Sequence, residues 1–459
     1  MRRRKSVSMT PLERRAVGSL AAIFALRLLG LFLILPVFAL YADRLEGHTP
    51  FLVGLALGAY GLTQALLQIP FGMASDRIGR KPVIAVGLVI FAIGSAVAAT
   101  AASIEGVVIG RALQGAGAIS AAVVAMIADL TREETRTRAM AAVGITIGAS
   151  FFVSLLAGPV LNTAIGVPGI FWLMAALALG GIGVLYLAVP TPVRSILHRD
   201  VEPAPHQFMR VLRDARLLRL NLGIFILHVV LMALFVVVPV ALVRQAGLPA
   251  GNHWQVYLPV LVLSAVFMLP LIVLAERRHW LRPIFAGAVG LLLLSQVVLY
   301  RGHTSLAPIL LGLFVFFTAF NVLEAMLPSL ISKTAPASSK GTAIGIYSTF
   351  EFFGAFVGGA AGGYLHGRYG IPGVFVFGAV LLAFWLLLAL TMPAPRYLAS
   401  RLLHVGRMKA AEARALAQRL AAVRGVAEAT VVAEEGVAYL KVDELILDAK
   451  TLDRYHAPT

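Results

Sequence analysis

With 459 residues, 59% of them hydrophobic and only 13% charged, and a mean hydropathy of +0.88, the chain has too little polar surface for a soluble protein of its length. Most of it must face lipid. No cysteine is present, so disulfides, thiolate metal sites and cysteine nucleophiles are excluded. A formal net charge of +17 would suit a nucleic-acid binder, but the placement of the basic residues gives it another meaning.

Residues 1–16 are a basic segment containing Arg2, Arg3, Arg4 and Lys5. The apolar run at 17–43 is too long for a signal peptide and lacks a small-residue cleavage site before Tyr41-Ala-Asp-Arg44, so it reads as a retained first span. Further apolar runs follow at 50–73, 82–100, 105–129, 138–163 and 168–190. Residues 191–216, rich in Pro, Arg and His, form a linker. Six more runs lie at 217–243, 251–275, 281–300, 304–330, 341–366 and 371–392. Each of the twelve can cross a hydrocarbon core of ~30 Å as a helix, the reasonable spanning form where no water satisfies the backbone. The predicted fold is therefore an all-α polytopic membrane protein with twelve transmembrane helices in two six-helix halves, 17–190 and 217–392.

With the first terminus in the cytoplasm, the connections on that side hold nearly all of the loop Lys and Arg. The opposite loops hold only Arg44, Arg244, Arg301 and Arg368. This is the positive-inside bias, and it predicts a multi-pass membrane protein with both termini cytoplasmic. The basic excess orients the chain in lipid; it does not recognise nucleic acid. The N-terminal cluster could also meet anionic lipids, although topology already accounts for it.

The two halves repeat with a period of roughly 200 residues. Leu31-Phe-Leu-Ile-Leu-Pro36-Val matches Leu234-Phe-Val-Val-Val-Pro239-Val, and Ala141-Ala-Val-Gly144-Ile matches Thr342-Ala-Ile-Gly345-Ile. Asp76-Arg77…Lys81-Pro82 has a degraded echo in Glu276-Arg277…Arg282-Pro283. After Pro393-Ala-Pro395 the composition changes. Residues 407–423 show helical spacing, and Ala429–Ala433 and Val437–Val442 flank Glu434-Glu435-Gly436 as a hairpin. With a strand at 397–405 and a second helix starting in 447–455, residues 396–459 read as a small α+β, ferredoxin-like domain lacking its last strand. Its cytoplasmic ligand, if it has one, is not a heavy metal held by a Cys pair, since that pair is absent.

No phosphate-cradling loop occurs: Ser338-Ser-Lys340-Gly-Thr lacks the necessary glycines, and no nucleophile or acid/base constellation stands out. The chain is predicted not to be an enzyme, to need no cofactor, and to draw its energy from an ion gradient. The most specific motif is the loop Gly72-Met-Ala-Ser-Asp76-Arg77-Ile-Gly79-Arg80-Lys81-Pro82 between the second and third spans. Next is Arg111-Ala-Leu-Gln114-Gly115-Ala-Gly117-Ala118 in the fourth, where an arginine at membrane depth costs a few kcal/mol or more unless it faces a partner or cavity. The alternative for Arg111 is a helix-end arginine snorkelling outward. Arg27, His228, Glu324 and Glu351 are further polar groups inside spans 1, 7, 10 and 11. A carboxyl in a low-dielectric cavity has its ionised form disfavoured, which suits it to carry a proton. Glu324 leads on that ground and Glu351 follows, with a structural pairing to Arg27 or His228 as the alternative. Gln64, Gln68, Asn321 and Tyr60 are candidates for substrate contact, with Phe32, Phe235 and Phe353 as an aromatic wall; each could instead pack or bridge helices.

The two motifs resemble the loop between helices 2 and 3 and the helix-4 signature of the major facilitator superfamily. With the appended domain they resemble its YajR-type branch of proton-driven drug antiporters over nearly the full length. The resemblance implies two parallel six-helix halves with a substrate site between them near the midplane. It implies export of small amphipathic compounds in exchange for protons, with Arg111 in proton coupling. It also implies that Asp76 accepts from the N-terminus of the eleventh helix, near Gly341, and that Arg80 pairs with Asp129. Together these would latch the halves shut on the inside, with Gly72 and Gly79 permitting close approach and a tight turn. Gly158-Pro159 matches the antiporter motif only in part, because Ser154, Asn162 and Thr163 replace its other glycines. A uniporter or importer of a polar metabolite on the same fold, and a sensor signalling through its tail, are the rival readings.

Overall fold

The computed structural model describes residues 8–191, 208–278, 280–336, 339–392, 399–433, 436–443, 446–448, 451–452 and 454–455. Most of the predicted linker, the Pro393–Pro395 boundary and the hairpin apex Glu434-Glu435 lie outside them, as does the side chain of Glu276 in the degraded loop echo.

Ten described helices are long and apolar enough to cross a membrane, and two of them, of 50 and 51 residues, are more than twice the necessary length of about 20. Each of these two is broken once, at Gly166 (φ 67°) and Gly370 (φ 68°), in a conformation that favours glycine. Each therefore counts as two spans, which gives the predicted twelve. Spans 5 and 6 share Glu133–Leu187, and spans 11 and 12 share Lys340–Leu390. The other whole spans are Pro50–Ile78 (2), Arg80–Thr100 (3), Ala215–Arg244 (7), Trp254–Arg277 (8), Leu281–Gly302 (9) and Leu306–Thr334 (10).

Spans 1 and 4 are interrupted. Span 1 runs over Pro11–Phe32, turns, and resumes at Phe38–Tyr41. The turn contains Pro36, and its repeat partner Pro239 sits in an unbroken helix. Gly158 of span 5 accounts for the fit, because a Cβ there would stand 2.5 Å from the Leu33 carbonyl oxygen exposed by the turn. Span 4 is Ile104–Ala116 followed by Ser120–Asp129. The sequence predicts no break at this point; its cause is described with the site.

The loop echo between halves is visible in the helices themselves. Lys81-Pro82 opens span 3 and Arg282-Pro283 opens span 9, each proline in the first turn, where its missing N–H costs nothing. Outward faces are apolar: Val86, Val89 and Ile93 of span 3 follow helical spacing and are exposed, as a lipid-facing stripe requires.

The first strand, the helix and the hairpin of the tail fold as read, with small shifts; the second helix expected from 447–455 falls partly outside the described residues. β1 (Ala399–His404), a helix (Ala410–Ala421), β2 (Val426–Val432) and β3 (Val437–Val442) form an antiparallel sheet of order β1-β3-β2. That order is what a ferredoxin-like sheet leaves when its final edge strand is missing. Leu403, Leu416, Leu420, Ala438, Leu440 and Val442 make its core. On the sheet's other face Lys441 is buried, and burial holds its ammonium pKa below the usual lysine value. Its Nζ donates to the carbonyl of Lys333 at 2.6 Å, an oxygen in the last turn of span 10 with no helical partner of its own. Replacing Lys441 by Ala should remove about 1–3 kcal/mol of docking. The distance between spin labels on the tail and on span 10 should broaden; an unchanged distribution would show the contact to be idle.

Candidate functional site

The site begins with how the halves meet. At the end of span 2 that starts at Pro50, its backbone touches that of span 11. A Cβ on Gly54 would lie 2.1 Å from the Gly359 oxygen, and one on Gly58 would lie 2.7 Å from that of Phe356. Arg244 of one half pairs with Asp43 of the other at 2.5 Å near this same end. Deeper in, Gln68 Nε2 donates to Thr349 Oγ1 at 2.8 Å across the interface. The halves are thus closed at the Pro50 end.

At the opposite end lies the loop motif. Arg80 is buried; its Nε donates to Asp129 Oδ2 at 3.0 Å and its Nη1 to Ser75 Oγ at 2.8 Å, and it also pairs with Asp76. Gly79 has φ 104° at the turn, and a Cβ on Gly72 would lie 3.1 Å from that of Ala121 of span 4. Lys81 Nζ donates to the Val189 carbonyl at 2.7 Å, and Arg77 is exposed. Gly341 is buried at the start of span 11, but Asp76, with 34% of its side chain exposed, bonds to Arg80 and, among the described residues, not to that helix start. The charge cluster inside the first half is formed; among the described residues the expected bond from Asp76 to the start of span 11 is not made in this conformation, in which the halves close at the other end. Asp129 and Arg80 are both buried, so Asp129→Ala would take one of two carboxylates from a buried guanidinium that keeps Asp76. A loss of about 1.5–3 kcal/mol of stability is expected, the scale of one charged hydrogen bond, read as earlier thermal unfolding in nanodiscs.

A second network at this end was not foreseen. Glu13, buried at the start of span 1, accepts from Arg132 Nε and Nη2 at 3.1 Å each and from Thr135 Oγ1 at 2.9 Å, and caps its own helix through Thr10. The signal available was the capping box Thr10-Pro-Leu-Glu13.

The motif in span 4 accounts for its own break. A Cβ at Gly115 would come within 2.1 Å of the Tyr60 oxygen of span 2, and one at Gly117 within 2.3 Å of the Gly87 oxygen of span 3. Span 4 is wedged between both neighbours, and its helix opens at Gly117. Arg111 does not snorkel: it is wholly buried, its Nη1 donating to Gln114 Oε1 at 2.8 Å and its Nε toward the Ala56 carbonyl at 3.4 Å. Its guanidinium carbon lies 5.2 Å from the centre of the Tyr60 ring, and that of Arg27 lies 5.5 Å from the same ring. Arg27 is also held by Ser120 Oγ at 3.0 Å and by Gln64.

In the second half, His228, Glu324 and Glu351 come together from spans 7, 10 and 11, each offering an atom within 4.8 Å of the others. His228 Nε2 is 3.7 Å from Glu351 Oε1, and its Nδ1 is 3.3 Å from the Ile224 carbonyl. Glu324 Oε2 is buried without a hydrogen-bond partner. The expected pairing of the acids with His228 is found for Glu351; no ion pair to Arg27 is formed among the described residues. Asn321 donates to Ser264 of span 8 at 3.1 Å, so it bridges helices, as Gln68 does.

The aromatic wall differs from the expectation. Phe32 meets Phe151 at 5.0 Å, Phe151 reaches Phe317 and Phe320 at 6.1 Å, and Phe235 lies 6.4 Å from Phe317. Phe320 in turn faces His228 at 6.0 Å. Phe353, 42% exposed and stacked on Phe356, is on the outer surface and not in the wall. Single aromatics in Leu-rich helices carry no orientation signal, which is why Phe151, Phe317 and Phe320 were not singled out.

A family model described as the Major Facilitator Superfamily matches residues 20–358, and one described as the YajR YAM domain matches residues 407–454. The inner membrane transport protein YajR of Escherichia coli is 44% identical over 438 residues, covering 95% of this chain and 96% of that one. The multidrug resistance protein MdtH of Yersinia pestis is 27% identical over 76% of this chain and 86% of its own. Among solved structures, a bacterial homolog of the human lysosomal transporter Spinster, inward-facing and occupied, matches with a TM-score of 0.70. It covers 84% of this chain and 98% of its own at 15% identity, a likeness of fold alone.

Proposed function

This chain belongs to the major facilitator superfamily and is a multi-pass transporter of the inner membrane; from that premise we propose that it exports small amphipathic compounds in exchange for protons. The observation that carries the reading is the cluster of His228, Glu324 and Glu351 beside the Phe151–Phe317–Phe320 wall. Two carboxylates this close in apolar surroundings repel, so a proton or another cation sits between them.

His228 supplies a second resting place for a proton. If its Nδ1–H donates to the Ile224 carbonyl, Nε2 faces Glu351 as an acceptor. The pair then holds one proton either on the carboxyl or on the imidazole, and Glu324 sits within reach of both. Protons are taken up and released there as the halves rock, and the aromatic wall receives the apolar part of the compound. Arg111 and Arg27 cannot give up a proton themselves; as fixed cations they bias where protons and charges rest.

Both termini lie in the cytoplasm on the strength of the Lys and Arg bias, so the loop motif faces inward. Closure at the Pro50 end, with Asp76 making no bond to the start of span 11 among the described residues, supports reading this conformation as the inward-facing one. Asp76 docking on the start of span 11 would accompany the opposite state. The tail domain, resting on span 10, reads that movement or receives a cytoplasmic ligand.

The test is proton movement in energised everted vesicles challenged with lipophilic cations and neutral amphiphiles, wild type beside Arg111→Ala at matched expression. Collapse of the pH gradient by a compound in wild type, and its loss in Arg111→Ala, is the result expected. Labelled compound crossing with no proton movement would overturn exchange in favour of a uniporter.

A further inference from the structure

Arg27 and Arg111 are guanidinium groups in the middle of spans 1 and 4, both buried, and among the described residues neither meets a carboxylate. One cation at membrane depth is already costly, and two that share a single ring repel each other. Contact with one tyrosine face returns only about 2 kcal/mol, short of that cost. Donors are also left over: Arg27 Nε, Arg111 Nη2 and the Tyr60 hydroxyl are all buried and have no hydrogen-bond partner. Positive charge with unmatched N–H and O–H donors is the complement of an oxyanion.

The opposite pole is close by. Phe352, whose ring lies 6.4 Å from that of Tyr60, follows Glu351 directly in span 11. The cationic pair of the first half therefore meets span 11 one residue along the chain from a member of the acid cluster. A compound with one charge satisfies one pole and leaves the other bare. A compound carrying both satisfies the two at once and adds no net charge to the membrane interior.

We propose that Arg27 and Tyr60, reinforced by Arg111, form a subsite for an anionic group such as a carboxylate, and that the transported compound is a zwitterion whose cationic end meets Glu324 and Glu351. This rests on the transport reading above and names its substrate class. Arg27 is the contacting group; its Ser120 and Gln64 partners fix the guanidinium so that Nε stays available.

Three fluorescent probes of matched length test it: dansyl-lysine with both charges, dansylcadaverine with the cation alone, and 6-(dansylamino)hexanoate with the anion alone. Binding is measured by dansyl fluorescence on the purified full-length protein in nanodiscs. Dansyl-lysine should bind about tenfold tighter than either single-charge probe, the scale of one hydrogen bond to a charged group. Arg27→Gln should abolish that preference, bringing dansyl-lysine down to the level of dansylcadaverine in the same variant, and Arg27→Lys, which keeps the charge, should retain part of it. Equal affinities in wild type, or a preference untouched by Arg27→Gln, would overturn the proposal. The wild-type comparison alone can do so, whether or not a variant folds. Free phosphate is the remaining arm: if it displaces the anionic probe and that probe binds as tightly as dansyl-lysine, a free anion fills the subsite and the zwitterion is wrong. Proton movement driven by the same probes in vesicles separates the two readings. A preference without proton movement removes exchange and leaves the subsite; proton movement without a preference does the reverse.

Discussion

Glu324→Gln is expected to bring compound-driven proton movement in everted vesicles down to background while the protein stays folded and binds its substrate. The substitution preserves size and shape and removes the negative charge and the ability to exchange a proton. Because Oε2 is buried and makes no hydrogen bond, little stability depends on the carboxylate itself. Substrate affinity should remain within about tenfold of wild type, the loss of one charged contact. Glu351→Gln should abolish proton movement too, with a larger loss of stability, since His228 loses the group it faces at 3.7 Å. Proton movement surviving in both variants would remove the acid cluster from the mechanism.

The second large effect is conformational. Gly359→Val should shift the population away from closure at the Pro50 end, because its Cβ would stand 2.4 Å from the Gly54 oxygen and about 3 Å from the Gly58 backbone. Both neighbours are main chain and cannot rotate aside. Overpacking of about 1–3 kcal/mol corresponds to a shift of about 5–150-fold between the two states. The native chain has no cysteine, so His48→Cys and Arg368→Cys would be its only labelling sites. Spin labels there should give one short distance in the parent and a second, longer population with Gly359→Val. A single unchanged distance would mean that this packing does not hold the gate.

Much of this was legible in the sequence, for reasons that differ by feature. Span number and the repeat could be read because hydropathy and Gly/Pro punctuation act locally. Arg80 and Asp129 were paired through the motif, and their contact at 3.0 Å lies wholly within one half. Asp76 and span 11 were also paired, but that contact depends on which end of the molecule is closed, and a sequence is the same in every state. His228, Glu324 and Glu351 were each recognisable as polar groups in lipid-crossing helices. Their convergence depends on how spans 7, 10 and 11 rotate about their axes. The phasing of Phe151, Phe317 and Phe320 was hidden for the same reason. One signal was present and passed over: Gly166-Val-Pro168-Gly169 and Gly370-Ile-Pro372-Gly373 are a fourth pair in the internal repeat, marking the breaks in the two longest helices.

Those two breaks have a mechanical consequence. A connection of one glycine leaves no slack between the helix that descends and the helix that returns, so spans 5 and 6, and likewise 11 and 12, can be drawn out of a bilayer only as pairs. Pulling the chain from one terminus by a cantilever tip should therefore extract each pair in a single rupture. During synthesis, the second member of each pair must follow the first into lipid without pausing at the surface.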